Sequence, residues 1–325
     1  MKKIRDRDKI FFLLILVIIA FGAYYQFKPS ESIQNVVTVR SGIQTGRFLN
    51  SYLPMYIAEN AGFFKEQGLN VTLLPLGGQS TAKALLSHNE EFDSGFETEI
   101  LAKTGGSDAK LVMVYAGNEN FLYSNFTSVQ DFKGKKIALG CTGCLSYMNT
   151  VKLLQNNGLN ASDVQIINMP DTNQRILALK SGQVAAAAAP YSSFKDNEIK
   201  LGIYLSNDSQ TSLSGAIVTS EKFMNEHPDV VMRFTTAIAE TVNYIYTNKP
   251  GTISLIESGM QVDNTTANQV YDFIIAHKFY QASLNLTNIN GEIQDVTTFS
   301  GKQPFSANDF VNTTFFDNLP NNLKT

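Results

Sequence analysis

The chain has 325 residues, of which 43% are apolar and 17% are charged, and its formal net charge is −3 at pH 7. A slightly acidic chain without a basic patch interleaved with aromatic residues lacks the electrostatic footprint of a nucleic-acid-binding protein. Its composition is that of a globular protein with enough apolar residues for a sizeable core. At about 100–200 residues per domain, the length predicts two domains after a short N-terminal segment.

The N-terminal segment, residues 1–30, combines basic residues with an apolar stretch. Lysines and arginines precede the stretch at residues 10–25, a pattern typical of a signal peptide or an N-terminal membrane anchor. The small residues Ala20 and Gly22 are followed by bulky aromatic residues, which favours an uncleaved anchor over a cleavage site. Basic residues before the stretch predict that the rest of the chain is extracytoplasmic, in the periplasm or on the outer face of the cell membrane.

Strands alternate with helices through the first part of the remaining chain. Residues 36–39 begin a strand, and apolar residues recur at helical spacing between Leu53 and Phe64. A second strand follows, and Ser80 is a good N-cap for the next helix. The run KLVMVYA at residues 110–116 is almost continuously apolar, as in a parallel strand that is buried on both faces.

The same alternation continues towards residue 219. Helices are predicted at 146–157 and 172–181, and strands at 135–139, 164–168, 184–189 and 215–219. A long amphipathic helix follows, and Pro250 is predicted to end it. Strands that alternate with helices imply right-handed βαβ units. The predicted fold class is therefore α/β, with mixed, mostly parallel sheets flanked by helices.

The most informative string is AENAGFFKEQGL at residues 58–69. It resembles the signature of the type II solute-binding proteins of ABC importers, in the branch that binds nitrate, sulfonates, taurine and thiamine-pyrimidine precursors. SVQDFKGKKI at residues 128–137 and ALKSGQV at residues 178–184 also match patterns of that family. The resemblance covers residues 36–245. It departs at Ala185, where the family usually has an acidic residue.

The resemblance implies a two-lobed type II periplasmic-binding-protein fold with a ligand cleft between the lobes. Lobe 1 would comprise residues 36–118 plus 218–325, and lobe 2, inserted between these parts, residues 119–217. The resemblance further implies a monomeric binding protein without catalytic activity or cofactor. Its expected partners are a small-molecule ligand, an ABC permease and, through the N-terminal segment, the membrane.

In open α/β sheets, ligands bind beyond the carboxyl ends of the strands and next to helix N-termini. The first loop in such a place carries Thr45 and Arg47, which suit an anion, and Phe48, which suits stacking on a flat ligand. For Arg47, a solvated surface charge is the equal alternative. The second loop carries Gln79 and Ser80 after a glycine turn that permits close backbone approach, with a plain turn and N-cap as the alternative.

The third loop carries Phe96 and Glu97 at the end of a predicted strand. Carboxylates at Glu97 and Glu99 beside a cleft would repel an anionic sulfonate and attract an amine or amidine, which favours an aminopyrimidine over nitrate. The alternative is that these side chains point outwards on a helix. Tyr191 follows another predicted strand and is a candidate for lining the cleft from lobe 2.

The fourth loop, Cys141, Thr142, Gly143 and Cys144, contains both cysteines of the chain. In the resembled family this small-residue loop contacts the ligand, so Thr142 and Gly143 are candidate ligand residues. Outside the cytoplasm a close cysteine pair is expected to form a disulfide. A redox-active pair at a helix N-terminus is the second interpretation. A metal site is the weakest, because two thiolates do not complete a tetrahedral shell.

Two other classes of function stay open. The fold of the thiamine-pyrimidine synthases is similar, so an enzyme of that type is one alternative; a membrane-tethered sensor with the same fold is the other. Neither a P-loop, a dinucleotide fingerprint nor a Ser/His/Asp set is evident, and the three histidines have no metal-ligand spacing. The sequence therefore favours the solute-binding component of an ABC importer, with a ligand that is aminopyrimidine-like or sulfonate- or nitrate-like.

Overall fold

The computed structural model of the chain describes residues 36–44, 46–76, 80–140, 144–191, 201–205 and 213–324. The predicted signal peptide or anchor at residues 1–30 lies outside these ranges. Within them, no helix is both long enough and apolar enough to cross a membrane.

The described elements alternate between strands and helices for most of the chain. The strands are β1 (Val37–Gln44), β2 (Leu69–Leu76), β3 (Phe92–Gly95), β4 (Ala109–Gly117), β5 (Asn120–Ser124), β6 (Lys136–Leu139), β7 (Gln165–Asn168), β8 (Ala186–Pro190), β9 (Leu201–Tyr204), β10 (Leu213–Ser220) and β11 (Tyr280–Ser283). The helices are α1 (Tyr52–Asn60), α2 (Phe63–Glu66), α3 (Ser80–Leu86), α4 (Phe96–Thr104), α5 (Leu145–Asn156), α6 (Thr172–Lys180), α7 (Glu221–Glu226), α8 (Pro228–Thr247), α9 (Lys249–Met260), α10 (Asn264–Ala276), α11 (Leu286–Phe299), α12 (Ala307–Phe310) and α13 (Thr314–Asp317).

Sheet 1 has the strand order β11-β4-β10-β3-β1-β2. Strand β1 pairs in parallel with β2 and β3, whereas β10 lies between β3 and β4 and is antiparallel to both. Since β10 runs against both neighbours, β1, β2, β3 and β4 all end at the same edge of the sheet. That edge is the place where α/β folds bind ligands.

Sheet 2 has the strand order β7-β6-β8-β5-β9. Strands β6, β7 and β8 are parallel, and β5 runs antiparallel between β8 and β9. Every described strand between residues 119 and 205 belongs to sheet 2, and every other described strand belongs to sheet 1. The mixed sheets predicted from the sequence are thus present, although antiparallel pairs are at least as frequent as parallel ones. Strand β4, predicted from its apolar run to be a parallel strand, pairs antiparallel with both β10 and β11. Sheet 1 resumes at Leu213, five residues before the predicted start of the second part of lobe 1.

The carboxyl edges of the two sheets adjoin where the chain passes between them. Strand β4 ends at Gly117, and only residues 118–119 separate it from β5. The first residue of β5, Asn120, pairs with Pro190, the last residue of β8. On the return, Leu213 pairs with Gly117. Residues 118–119, and the described residues on either side of the return, Leu205 and Leu213, therefore lie at the edges where the parallel strands of each sheet end.

The core between sheet 1 and helices α1, α2 and α8 is built on stacked phenylalanines. Phe92 of β3 stacks on Phe234 of α8, with ring centroids 3.9 Å apart, and Phe64 of α2 stacks on the same ring at 5.3 Å. All three side chains are fully buried. Stacked aromatic pairs stabilise a core beyond the apolar area that they bury.

The predicted end of the long helix is corrected by the structure. Helix α8 ends at Thr247, and Pro250 lies in the first turn of the next helix, α9, which begins at Lys249. A proline is tolerated there because the backbone N–H groups of the first turn have no carbonyl partner within the helix, so the missing N–H of proline costs no hydrogen bond. Pro250 therefore helps to begin a helix, whereas the sequence pattern was interpreted as a stop.

Helix α11, in the region that the family resemblance does not align, connects the helices of the two sheets. Leu145 and Met148 of α5 lie in the same buried apolar cluster as Ile293 of α11. Lys152 of α5 forms an ion pair with Asp295 of α11. The unaligned region thus supplies apolar and charged contacts between a helix beside sheet 1 and a helix beside sheet 2.

Replacing Phe234 with alanine is expected to lower the free energy of unfolding by about 3–5 kcal/mol, because it removes a buried ring and leaves a cavity. Equilibrium denaturation measures this change. Asn243→Ala, at an exposed position of the same helix, is the matched control and should change stability by no more than about 0.5 kcal/mol. A loss below about 1 kcal/mol for Phe234→Ala would contradict the central place of this ring in the core.

Candidate ligand-binding site

The structure describes six of the ten predicted ligand residues. Thr45, Gln79, Thr142 and Gly143 lie outside the described ranges, as does Cys141. The six described residues are Arg47, Phe48, Ser80, Phe96, Glu97 and Tyr191.

The loop before α1 has an exposed tip and a fixed base. Gly46 has a φ of +127°, and a Cβ at this position would lie 2.9 Å from the Phe48 ring. The Phe48 carbonyl accepts hydrogen bonds from the N–H groups of Tyr52 and Leu53, at 3.1 and 3.0 Å. Arg47 is exposed. The glycine therefore permits a tight turn that folds the half-buried Phe48 back onto the start of α1 and leaves Arg47 at the surface.

Helix α4 begins directly at the carboxyl end of β3 and places Phe96 and Glu97 in its first turn. Phe96 is fully buried, and its ring stacks on Phe310 of α12 with centroids 6.3 Å apart, so in this arrangement it is a core residue. Glu97 is half-buried. Ser80, the first residue of α3, is exposed. Among these three, Glu97 is the side chain that brings charge to the sheet edge.

Glu97 lies in an acidic environment. Burial raises the pKa of Glu97 to about 7; its own backbone N–H opposes the shift and the nearby Asp93 carboxylate adds to it. Its Oε2 is buried and has no hydrogen-bond partner among the described residues. Glu292 of α11 is also buried, and burial, together with Asp295 and Glu97, raises its pKa well above the usual value. Glu292 Oε2 accepts the N–H of Leu213 at 3.4 Å.

Two residues at this edge escaped the sequence analysis, Asn50 and Glu119. The Asn50 backbone N–H donates to Glu119 Oε1 at 3.4 Å, and Asn50 Nδ2 donates to Ser214 Oγ at 2.5 Å. Burial raises the pKa of Glu119 to about 8, although the backbone N–H groups of Asn50 and Leu49 lower it. A carboxylate directly after the buried strand β4 is the signal in the sequence that would have indicated Glu119.

Tyr191 lies at the end of β8 and packs across to a helix of sheet 1. Its ring stacks on Phe273 of α10 with centroids 4.4 Å apart and an interplanar angle of 15°. Its N–H donates to the Glu119 carbonyl at 3.2 Å, and Phe121 of β5 lies 5.4 Å from its ring. The tyrosine is thus at the predicted edge, and its contact with a ligand stays a prediction.

At the sheet 2 edge, Cys144 is the N-cap residue of α5. It is disulfide-bonded, and its Sγ lies 3.4 Å from Ser146 Oγ. A sulfur in a disulfide is not available as a thiolate nucleophile or metal ligand. The pairing of Cys144 with Cys141, the other cysteine of the chain, stays a prediction because Cys141 lies outside the described residues.

Arg175 of α6 holds the carboxyl ends of β7 and β8 together. Its buried guanidinium donates from Nε to the Ala188 carbonyl at 2.6 Å and from Nη1 to the carbonyls of Met169 and Pro170 at 2.6 and 2.8 Å. Five N–H donors in a planar fork make arginine suited to this task. The sequence pattern places Arg175 in a predicted helix and indicates no role for it.

The sheet 1 edge therefore carries several buried oxygens that accept no hydrogen bond from any described residue. They are Asn50 Oδ1, Glu97 Oε2 and Glu119 Oε2. Leaving a buried acceptor unpaired costs about 1–3 kcal/mol, so a molecule that donates hydrogen bonds to these oxygens would be stabilised at this edge. Over the same ranges of the chain, no group of three or more His, Cys, Asp or Glu side chains is arranged to hold a metal ion.

Comparison with solved structures shows the fold class. The putative sulfonate-binding protein SsuA of an ABC transporter from Methylobacillus flagellatus KT is similar over 87% of this chain and 93% of its own, with a TM-score of 0.70 and 17% identity. The zinc-bound ligand-binding component of an ABC-type import system from Staphylococcus aureus is similar over 87% and 99%, with a TM-score of 0.71 and 11% identity. The chain has the mixed α/β, two-sheet fold of the periplasmic binding proteins.

The family is shown by sequence. The family described as NMT1/THI5 like matches residues 50–252, which is more than half of the chain, and the protein therefore belongs to the NMT1/THI5-like family. The curated proteins contain no significant match. The desulfurization enzyme DSZB also shares the fold, with a TM-score of 0.66, 13% identity and coverage of 86% of this chain and 98% of its own. The fold thus serves both binding proteins and an enzyme.

A second group of buried carboxyls lies around β3 and reaches the edge at Asp93, whose Oδ1 accepts the N–H of Gly95 at 2.8 Å. Glu90, Asp93 and Glu99 are almost inaccessible to solvent. Neither oxygen of Glu90 has a hydrogen-bond partner among the described residues, and a Cβ at Gly42 would overlap the Glu90 carboxyl. Burial, followed by the Asp93 and Glu91 carboxylates, raises the pKa of Glu90 to about 9, against a small opposing effect of Arg40.

The stability of the protein is expected to fall as pH rises from about 4.5 towards 9. In this range the folded state keeps a proton on Glu90 that the unfolded state releases, so the unfolded state binds fewer protons and the free energy of unfolding decreases with pH. Glu90→Gln imitates the protonated side chain and should raise stability at pH 8 by about 1 kcal/mol or more, at about 1.4 kcal/mol per pKa unit.

Denaturation at pH 5 and pH 8 measures the Glu90 effect. Glu59→Gln, at an exposed position on α1, is the control and should leave the pH dependence unchanged. An equal pH dependence in the wild type and Glu90→Gln would show that Glu90 does not hold its proton in the folded state.

Proposed function

We propose that this protein is the extracytoplasmic solute-binding component of an ABC importer. It closes on a small organic molecule between its two sheets and delivers that molecule to a membrane permease. Membership of the NMT1/THI5-like family and the fold shared with proteins described as sulfonate-binding components of ABC transporters support this proposal. The N-terminal segment, as an anchor or a signal peptide, accounts for the location.

The observation that carries the proposal is the set of unpaired buried acceptors at the edge between the sheets. Asn50 lies between β1 and α1, Glu97 lies in the first turn of α4 after β3, and Glu119 lies between β4 and β5. Each has a side-chain oxygen without a hydrogen-bond donor among the described residues. Buried polar groups in folded proteins are nearly always paired. A bound solute with N–H or O–H donors would pair them.

The acidic character of this edge favours a cationic or donor-rich solute, such as an aminopyrimidine that resembles a thiamine precursor. A carboxylate that approaches a cation in a partly buried site makes a charge-assisted hydrogen bond, which is stronger than a neutral one. A sulfonate or nitrate would instead lie beside the carboxyls of Glu97 and Glu292, which carry no positive charge to pair with it and whose raised pKa values reflect the cost of a negative charge at this edge. At the loop tip, the exposed Arg47 would contact an anionic part of either kind of ligand, and the half-buried Phe48 would contact a flat part.

Two lobes that follow the sheets would move about the passages between them, by a hinge motion of the kind that closes binding proteins on their ligands. We propose lobes at residues 36–118 with 218–325 and at 119–217. Because β10 belongs to sheet 1 from Leu213 onwards, a lobe that follows the sheets would include the whole of that strand. Tyr191 and Ser80 would approach the ligand as the lobes close.

An enzymatic function is the second candidate, because DSZB is an enzyme with this fold. Two local observations favour binding over catalysis. Cys144 is disulfide-bonded, and His227 and His277 pack against the rings of Phe223 and Phe273.

Thermal unfolding of the full-length chain in a mild detergent tests the proposal with a panel of aminopyrimidines, polyamines, flavins, sulfonates and nitrate. An aminopyrimidine at about 100 times its Kd should add about 2.7 kcal/mol of stability. Glu97→Gln should weaken its binding by roughly ten- to hundredfold, because a hydrogen bond to a charged group contributes about 1.5–3 kcal/mol.

Glu66→Gln, at an exposed position of α2, is the matched control and should leave Kd unchanged. Stabilisation by sulfonates or nitrate alone would support a solute-binding protein and contradict the acidic recognition by Glu97. If no compound in the panel stabilises the protein, the proposed ligand classes are wrong, and a membrane-tethered sensor becomes the better explanation of the fold.

A further inference from the structure

The base of the loop before α1 is held more tightly than its tip. Leu49 and Asn50 are buried, whereas Gly46 and Arg47 are exposed. The Tyr280 hydroxyl of β11 donates to the Leu49 carbonyl at 2.6 Å inside the core. The tip, residues 46–48, is therefore followed directly by a short buried base, Leu49 and Asn50.

Asn50 in that base contacts both places where the chain moves from one sheet to the other. Its backbone N–H reaches Glu119 Oε1, in the passage from sheet 1 to sheet 2. Its side-chain Nδ2 reaches Ser214 Oγ, where the chain has just returned to sheet 1. The two partners are 69 and 164 residues away in the sequence. One residue thus joins the loop to both passages by buried hydrogen bonds.

Close packing between Asn50 and β10 adds to the hydrogen bond between Asn50 and Ser214. A Cβ at Gly215 would overlap the Asn50 carbonyl oxygen and lie 2.7 Å from both the Ala116 Cβ and the Tyr115 ring. Glycine is therefore required if β10 is to lie this close to the loop. Asn50 has no room to move towards β10 without displacing the strand.

We propose that Asn50 is a positioning residue that couples the loop tip at residues 46–48 to both passages between the sheets. A displacement of the tip by a bound molecule would pull on Glu119 and Ser214 together, and these two residues lie next to the described ends of the two connections between the sheets. The inference rests on the proposed binding function for its biological meaning. The coupling itself is a property of the empty protein and is tested without a ligand.

Glu119 is the second member of this connection. Its Oε1 accepts the Asn50 N–H, while its own carbonyl accepts the N–H of Tyr191 at the end of β8. The titratable groups that face its carboxyl are the neutral phenols of Tyr123 in β5 and Tyr280 in β11. Protonation keeps Oε1 as an acceptor, whereas ionisation places an uncompensated charge between the passages.

Hydrogen exchange of the full-length chain in a mild detergent tests the coupling. The informative amides are Tyr191, bonded to the Glu119 carbonyl, and Leu205, bonded to the Asn120 carbonyl. Asn50→Ala should speed their exchange by about tenfold, because it removes the side-chain hydrogen bond to Ser214 and loosens the base of the loop. Amides in the core of α8 should exchange at the wild-type rate.

The matched control is Asn60→Ala, at the end of α1, where the exposed asparagine bonds only within its own helix among the described residues. It should leave both amides unchanged. If Asn50→Ala speeds exchange only around residues 46–52, or equally throughout α8, the coupling is refuted, because the effect is then local or a general loss of stability.

A conservative variant separates coupling from simple packing. Glu119→Gln keeps an oxygen that accepts the Asn50 N–H and cannot ionise. In the wild type, protection of Tyr191 relative to α8 should fall between about pH 7 and pH 9, around the pKa of about 8 of Glu119, and in Glu119→Gln it should not change. A loss of protection in Glu119→Gln at pH 6, or an unchanged pH profile in the wild type, would overturn the assignment to Glu119.

Ligand-panel results do not affect either outcome, so failure of the binding proposal and failure of the coupling are distinguishable.

Discussion

The antiparallel insertion of β10 between β3 and β4 is the constraint on which the rest of the structure depends. The strand is buried along nearly its whole length. In the sequence it follows every strand of sheet 2, although it pairs with two strands of sheet 1. This insertion requires the chain to pass twice between the sheets, and the described ends of both passages lie at the carboxyl edges of the parallel strands. The edge that α/β folds use for ligands is therefore also the edge about which the two sheets are connected.

Local patterns in the sequence predict most elements and the general location of the candidate site. The continuous apolar run at residues 110–116 and the helical spacing in α8 are read directly from neighbouring residues, and Glu97 is found because it follows a strand. Asn50 is not found, since its partners Glu119 and Ser214 are distant in the sequence and each is an ordinary polar residue by itself. After Ser283, helix α11 packs against α4 and α5, and no local pattern specifies these contacts.

The two sheets differ in the charge that they bring to their common edge. Sheet 1 contributes the carboxyls of Glu97, Glu119 and Glu292, all with raised pKa values because burial disfavours their ionised form. Sheet 2 contributes the guanidinium of Arg175, which holds backbone carbonyls at the ends of β7 and β8. The acidic side is thus adjustable by protonation, whereas the basic side keeps a fixed charge and a fixed shape.

The central strand of sheet 2, β8, is a run of alanines that ends in a proline. Alanine methyl groups let α6 approach the sheet closely, but each buries fewer carbons than a leucine or valine, at a loss of about 0.8 kcal/mol per missing CH2. The core of sheet 2 consequently buries less apolar surface along this strand than leucine or valine side chains would. Neighbours such as α11 then supply part of the apolar contact that sheet 2 lacks, so its cooperativity with sheet 1 comes from shared side-chain packing.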